Sequence, residues 1–163
     1  MTRKGPEILI YGIGNPGRQD DALGILLAEK IEQWAAELCY SFITVEQCYQ
    51  LNIEDAELIS HYDLVIFLDA SVKEEITDIS IERVTPHLKT DFNMHSVTPA
   101  FVAGLSENIY SRIPEIFQLH IKASKFNFME PLTGEAAENL DRAFIHLKEF
   151  IIAWLARKKS GTS

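Results

Sequence analysis

Two short runs in which almost every residue is apolar constrain the fold most: residues 7–13 (EILIYGI) and 63–68 (DLVIFL). A strand with one wet face alternates apolar and polar side chains, so a run apolar at nearly every position has to be covered on both faces. That condition is met inside a parallel sheet flanked by helices. The intervening chain agrees. Residues 22–38 repeat apolar positions at helical spacing, 41–46 read as a second strand, and 52–60 (NIEDAELIS) read as a helix with Asn52 as N-cap and acids in its first turn. Strand alternating with helix in this way predicts a parallel α/β sheet.

Downstream, residues 79–84 alternate more weakly, and the polar connection 70–78 is too short for a crossover helix, so this strand is expected to run antiparallel. Residues 98–111 read as a helix with Pro99 in its first turn, and 115–123 (EIFQLHIKA) as a fifth strand. The last helix spans 134–158. Its Ala137, Leu140, Phe144, Leu147, Ile151, Trp154 and Leu155 recur at helical spacing and are assigned to the core. With 163 residues, 47% hydrophobic and 24% charged, the chain suits a single domain over residues 1–163, with an ordered core at about 7–158.

A net charge of −9 argues against a nucleic-acid partner, which would require clustered cations. The one basic cluster, Arg157, Lys158 and Lys159, ends the last helix, where positive charge suits the helix dipole. No segment reads as a signal peptide or a membrane span, and a cytoplasmic protein is expected. Cys39 and Cys48 lack the spacing of a zinc or redox pair and read as reduced, structural residues.

The most informative stretch is residues 12–24, GIGNPGRQDDALG, between the first strand and its helix. In an open α/β sheet, loops at the carboxyl ends of parallel strands gather into one crevice. A dinucleotide site is a poor fit, because Asp20 and Asp21 at a helix N-terminus would repel a pyrophosphate. Two acids suit a cation instead. Asp69 follows the third strand on the same edge, and His95 lies in the polar loop ahead of the helix at 98. Two carboxylates and an imidazole from three loops form a donor set suited to Ni²⁺, Zn²⁺ or Mn²⁺, with positions open for water or substrate. The competing readings are plain: Asp20 or Asp21 as a helix cap, Asp69 as a turn residue, His95 as a solvated side chain. His61, His87, His120 and His146 keep the solvated or structural reading, His120 because it lies within a strand and His146 because it lies on a helix.

These residues resemble the hydrogenase maturation endopeptidases, which trim the large subunit of nickel-iron hydrogenases. The likeness rests on Gly12, Gly14 and Asn15, on Asp20 to Gly24 (DDALG), on Asp69 closing the third strand, and on His95 before a proline-containing helix; it extends over about residues 8–152. It implies a three-layer α/β/α sandwich around a five-stranded, mostly parallel twisted sheet with one antiparallel strand. Asp21, Asp69 and His95 would be the catalytic, metal-contacting residues, and Gly12, Gly14, Asn15 and Asp20 would support the loop and substrate. Asp21 stands where some members carry glutamate, and Ala22 where many carry glycine; residues 47–52 (QCYQLN) lack the family's glycine-rich run.

The implied function is removal of a C-terminal extension from a nickel-loaded large-subunit precursor. Nickel would arrive on that substrate with no metal held permanently, and the enzyme would act as a monomer with neither nucleic acid nor membrane as partner. Two other functions fit the same residues. One is a non-catalytic module that recognises a metal protein. The other is an esterase like the peptidyl-tRNA hydrolases, which share the Gly-x-Gly-Asn-Pro-Gly opening but need histidine and asparagine where this chain has Asp20 and Asp21.

Overall fold

The structure, a computed structural model, describes residues 5–88 and 97–161. Five strands, β1 (Ile8–Ile13), β2 (Ile43–Cys48), β3 (Leu64–Ser71), β4 (Ile79–Arg83) and β5 (Glu115–Lys122), form one sheet in the order β2-β1-β3-β5-β4. All pairs are parallel except β4 with β5, as the short 70–78 connection required. Helices α1 (Leu23–Glu37), α2 (Asp55–Ser60), α3 (Pro99–Ile109) and α4 (Gly134–Lys159) cover both faces, so the chain is an α/β sandwich around a mixed, mostly parallel sheet.

Strand alternation divides the core in two. Ile8, Ile10, Leu64, Ile66, Leu68, Leu119 and Ile121 pack against α1 and α4, while Leu9, Tyr11, Val65, Phe67 and Ile116 face α2 and α3. Every residue of β1 is buried, which is why its run carries no polar alternation. On α4 the innermost positions are Ala136, Leu140, Ala143, Leu147, Ile151 and Trp154. The expected Ala137 is exposed, while Phe144 and Leu155 are half-buried and pack against the edge of this core.

Three boundaries differ from expectation. A 3-10 turn, Gln19–Ala22, precedes α1, and no side chain caps either segment, so neither Asp20 nor Asp21 serves as a helix cap. Strand β3 continues through Ser71, placing Asp69 inside its last turn of pairing with β5. Helix α2 begins at Asp55: Asn52 Oδ1 accepts from the Glu54 amide at 3.1 Å, and Asp55 returns the bond by accepting from the Asn52 amide at 2.9 Å. The buried Asp55 also accepts from the Tyr11 hydroxyl at 2.7 Å and so pins α2 to β1. Burial and this carboxylate push the Tyr11 phenol far up, keeping it protonated. No helix among the described residues is long and apolar enough to cross a membrane.

A two-aspartate cleft at the carboxyl edge of the sheet

The sheet order reverses between β1 and β3, since β2 lies beyond β1 and β5 beyond β3. A crevice opens where the connections from such neighbours leave in opposite directions. Helix α1 starts directly over this point because glycines let it approach. A Cβ at Gly12 would lie 2.6 Å from the Gly24 carbonyl oxygen and 2.8 Å from the Ala28 Cβ, and one at Gly24 would collide with the carbonyls of Ile13 and Leu68. Gly14 sits at φ +149°, where a side chain would strike the Asp21 carbonyl. The glycines therefore bring Asp21 onto the ends of β1 and β3, which is a packing role and not a phosphate cradle.

Asp21 Oδ2 accepts from the Asn15 amide at 3.1 Å, which orients the carboxylate over the loop. Asn15 fixes that loop in turn: its Oδ1 accepts from the Gly17 amide at 2.8 Å and its Nδ2 donates to the Tyr49 hydroxyl at 2.5 Å. Asp69 lies one residue beyond Leu68, the last β3 residue paired with β1, on the face shared with Val65 and Phe67. Burial, and then the Asp21 carboxylate, push the Asp69 carboxyl up to about 7, against the opposing hydrogen bond of the Ala70 amide. Two acids close enough to repel each other in a half-buried cleft form a site waiting for positive charge. The third candidate, His95, lies outside the described residues. Among the described residues no three His, Cys, Asp or Glu side chains are grouped to hold an ion.

Asp20, adjacent in sequence to Asp21, faces the opposite way and is fully buried. Its Oδ2 accepts from the amides of Ser124 at 3.0 Å and Lys125 at 3.2 Å, and its Oδ1 from the Thr133 amide at 2.9 Å. Burial raises its pKa, but these amides outweigh burial and hold the carboxyl below its ordinary value. Asp20 is thus a clasp between the glycine loop and the segment leading to α4. Gln19 adds to it from a left-handed backbone (φ 49°), with Oε1 accepting from the Asn127 amide at 3.1 Å.

A cavity of about 580 Å³ extends from Asp69 across the α3 side of the sheet, bordered by Ser71, Glu82, Gln118, His120 and Thr98. His120, read from sequence as a strand residue without chemistry, is the register partner of Asp69 and lines this cavity. Its Nε2 lies 2.9 Å from Glu82 Oε1, within hydrogen-bonding distance of that carboxylate. The signal was present in EIFQLHIKA, where Gln118 and His120 alternate with apolar residues on one face. What the spacing lacked was the knowledge that β5 neighbours β3. Cys48, on β2 nearby, is pushed up to about 11, first by burial and then by Asp55 and Asp69, and stays a thiol.

No family model and no curated protein matches the chain. Several solved structures do. A NiFe hydrogenase maturation protease, HycI, from Thermococcus kodakarensis KOD1 superposes with a TM-score of 0.69 at 23% identity, over 88% of this chain and 91% of that one. The hydrogenase maturating endopeptidase HybD from E. coli gives 0.63 at 18% identity, over 95% and 94%. A hydrogenase 2 maturation peptidase from Thaumarchaeota archaeon SCGC_AB-539-E09 gives 0.62 at 16%, over 89% and 97%. Over nearly its whole length, the chain has the fold of the hydrogenase maturation proteases.

Proposed function

We infer that this chain is an endopeptidase that removes a C-terminal extension from the nickel-loaded large-subunit precursor of a nickel-iron hydrogenase. One observation carries the reading: Asp21 and Asp69 meet at the β1/β3 switch point, and the Asp69 carboxyl is pushed up to about 7 by burial and by Asp21. Such a pair gains most from a divalent cation, which neutralises both carboxylates at once. In this reading the cation is nickel carried by the substrate, which is in keeping with a fold shared with a NiFe hydrogenase maturation protease.

In this reading Asp21, Asp69 and His95 complete the coordination of the substrate's nickel and need no resident metal. The bound ion polarises the scissile carbonyl or lowers the pKa of the attacking water. The chain's own contribution is positional. Asn15 and the Gly14 turn orient Asp21, and the β3–β5 register fixes Asp69 near the carboxyl end of its strand. Asp20 acts at a distance by locking the loop. The protein works as a single catalytic domain and a monomer in the cytoplasm, with the precursor as partner and neither nucleic acid nor membrane involved.

Incubation with a nickel-loaded precursor, followed by mass analysis of the large subunit, tests the reading. Release of the tail by the wild type and its loss in both Asp69→Asn and His95→Ala is the expected result. Tight binding without release would identify a metal-protein recognition module instead.

A further inference from the structure

The loop clasped by Asp20 carries two of the most exposed large apolar side chains among the described residues, Phe128 at 77% and Met129 at 75% exposure. Exposed apolar residues on a free loop need no explanation, but this loop is tied down. Asp20 accepts from Ser124, Lys125 and Thr133, Gln19 from Asn127, and the Met129 amide donates to the Gly17 carbonyl at 2.8 Å. Met129 is also held at φ 59°, a left-handed backbone that a long side chain rarely adopts. A fully buried carboxylate and a strained backbone are thus used to present an apolar tip to solvent. The tip is continuous with the cleft. Gly17 donates to Asn15, Asn15 donates to Tyr49, itself 67% exposed, and Asn15 also orients Asp21. Tyr49 and Met129 are therefore each tied by a hydrogen bond to the Asn15–Gly17 loop whose Asn15 amide also holds Asp21.

We propose that Phe128, Met129 and Tyr49 form a docking rim that grips an apolar patch on the folded body of the protein substrate. This rests on the function proposed above. The occupant follows from position: Asp21, Tyr49 and Met129 are all hydrogen-bonded to the Asn15–Gly17 loop, so a protein that brings a cation to Asp21 comes up against the rim. A second copy of the chain bound there would cover Asp21 and exclude substrate. Rigid apolar residues beside a recessed polar site have the anatomy of interface anchors, in which a few such side chains carry most of the affinity. The rim distinguishes a folded protein from a loose tail, since it lies outside the cleft that takes the tail.

The test compares Phe128→Ser/Met129→Asn with the wild-type surface. Asparagine keeps the left-handed backbone at position 129, and Ile145→Ser, at an exposed site on the outer face of α4, serves as the control. Both are measured against a nickel-loaded large-subunit precursor, by calorimetry in the Asp69→Asn background and by tail release in the otherwise wild-type enzyme. Affinity should fall about tenfold or more in the rim variant, with KM rising in parallel, kcat at saturation unchanged and melting temperature unaltered. The control should match the wild type. Unchanged affinity and KM in the rim variant, while the wild type binds and cleaves, overturns the rim and leaves the proposed function standing. A wild type that neither binds nor cleaves the precursor overturns both.

Discussion

The two edges of the sheet carry cavities of opposite character. At the amino-terminal edge a space of about 1180 Å³ is bordered by Asp63, Arg112, Glu115, Trp154 and Lys158, and each acid there has a partner. Arg112 lies 2.6 Å from Asp63, while Glu115 accepts from Trp154 at 2.7 Å and pairs with Lys158 at 3.2 Å. The carboxyl edge has half the volume, about 580 Å³, yet there Asp69 faces another acid. Volume reflects how far the helices stand off the sheet ends. Uncompensated charge is the rarer feature, because it costs stability unless something outside the chain supplies the counter-charge.

The largest expected effect comes from removing that charge. Asp69→Asn should lower tail release by about a thousandfold or more, since the amide is a weak metal ligand in a site built on two anions. His95→Ala should do the same. Neither should lower the melting temperature, because the lost interaction is with the substrate's ion. If both edges were merely structural, Asp69→Asn would leave release intact and the contrast between the edges would mean nothing for function.

Next in size is the clasp. Asp20→Asn sets an NH₂ group against the amides of Ser124 and Lys125 or of Thr133, whichever way it turns. Stability should fall by about 3 kcal/mol, or roughly 10 °C in melting temperature for a chain of this size. A shift below a degree or two would show that the 124–133 segment holds its place without Asp20.

Much of the fold is legible in the sequence alone. Unbroken apolar runs marked β1 and β3, and the short polar 70–78 connection forced β4 antiparallel, because both depend on local sequence. The roles of Asp20 and His120 were not legible. Asp20 finds its donors more than a hundred residues away, at Ser124 and Thr133, and His120 meets Asp69 only through the β3–β5 register. Adjacent aspartates look alike in sequence. Backbone direction in the Gln19–Ala22 turn sends one inward to amides and the other to the cleft.

A smaller effect should appear in the pH dependence of stability. In an unfolded chain Asp69 loses its proton near pH 4, whereas in the fold it keeps it up to about 7. Between those values the folded state holds more protons, so stability falls as pH rises. Chemical denaturation at pH 5 and pH 8 should show wild type losing about 1–2 kcal/mol relative to Asp69→Asn, after allowance for partial solvent contact. Divalent metal should bind the wild type better across the same rise, as the carboxylate becomes available. Parallel profiles for wild type and Asp69→Asn would mean that the acid at this edge is as well compensated as those at the other.

The smallest effect belongs to the amino-terminal edge and completes the comparison. Burial disfavours the Glu115 charge, but the Trp154 indole N–H and then Lys158 and Arg83 outweigh it and hold the carboxyl below its ordinary value. A carboxylate of lowered pKa stabilises the fold above its unfolded pKa, and that contribution is lost as pH falls through the folded value. Glu115→Gln keeps an oxygen for the buried indole N–H and removes only the charge shared with half-exposed Lys158 and exposed Arg83. The loss should be about 0.5 kcal/mol at neutral pH, detectable as a small shift in denaturation midpoint, and it should vanish in acid. Tail release should be unchanged, because this edge lies at the opposite end of every parallel strand from Asp21 and Asp69. A loss of activity in Glu115→Gln at unaltered stability would show that the larger cavity takes part in function after all, and that unmet charge is not the mark that separates the two edges.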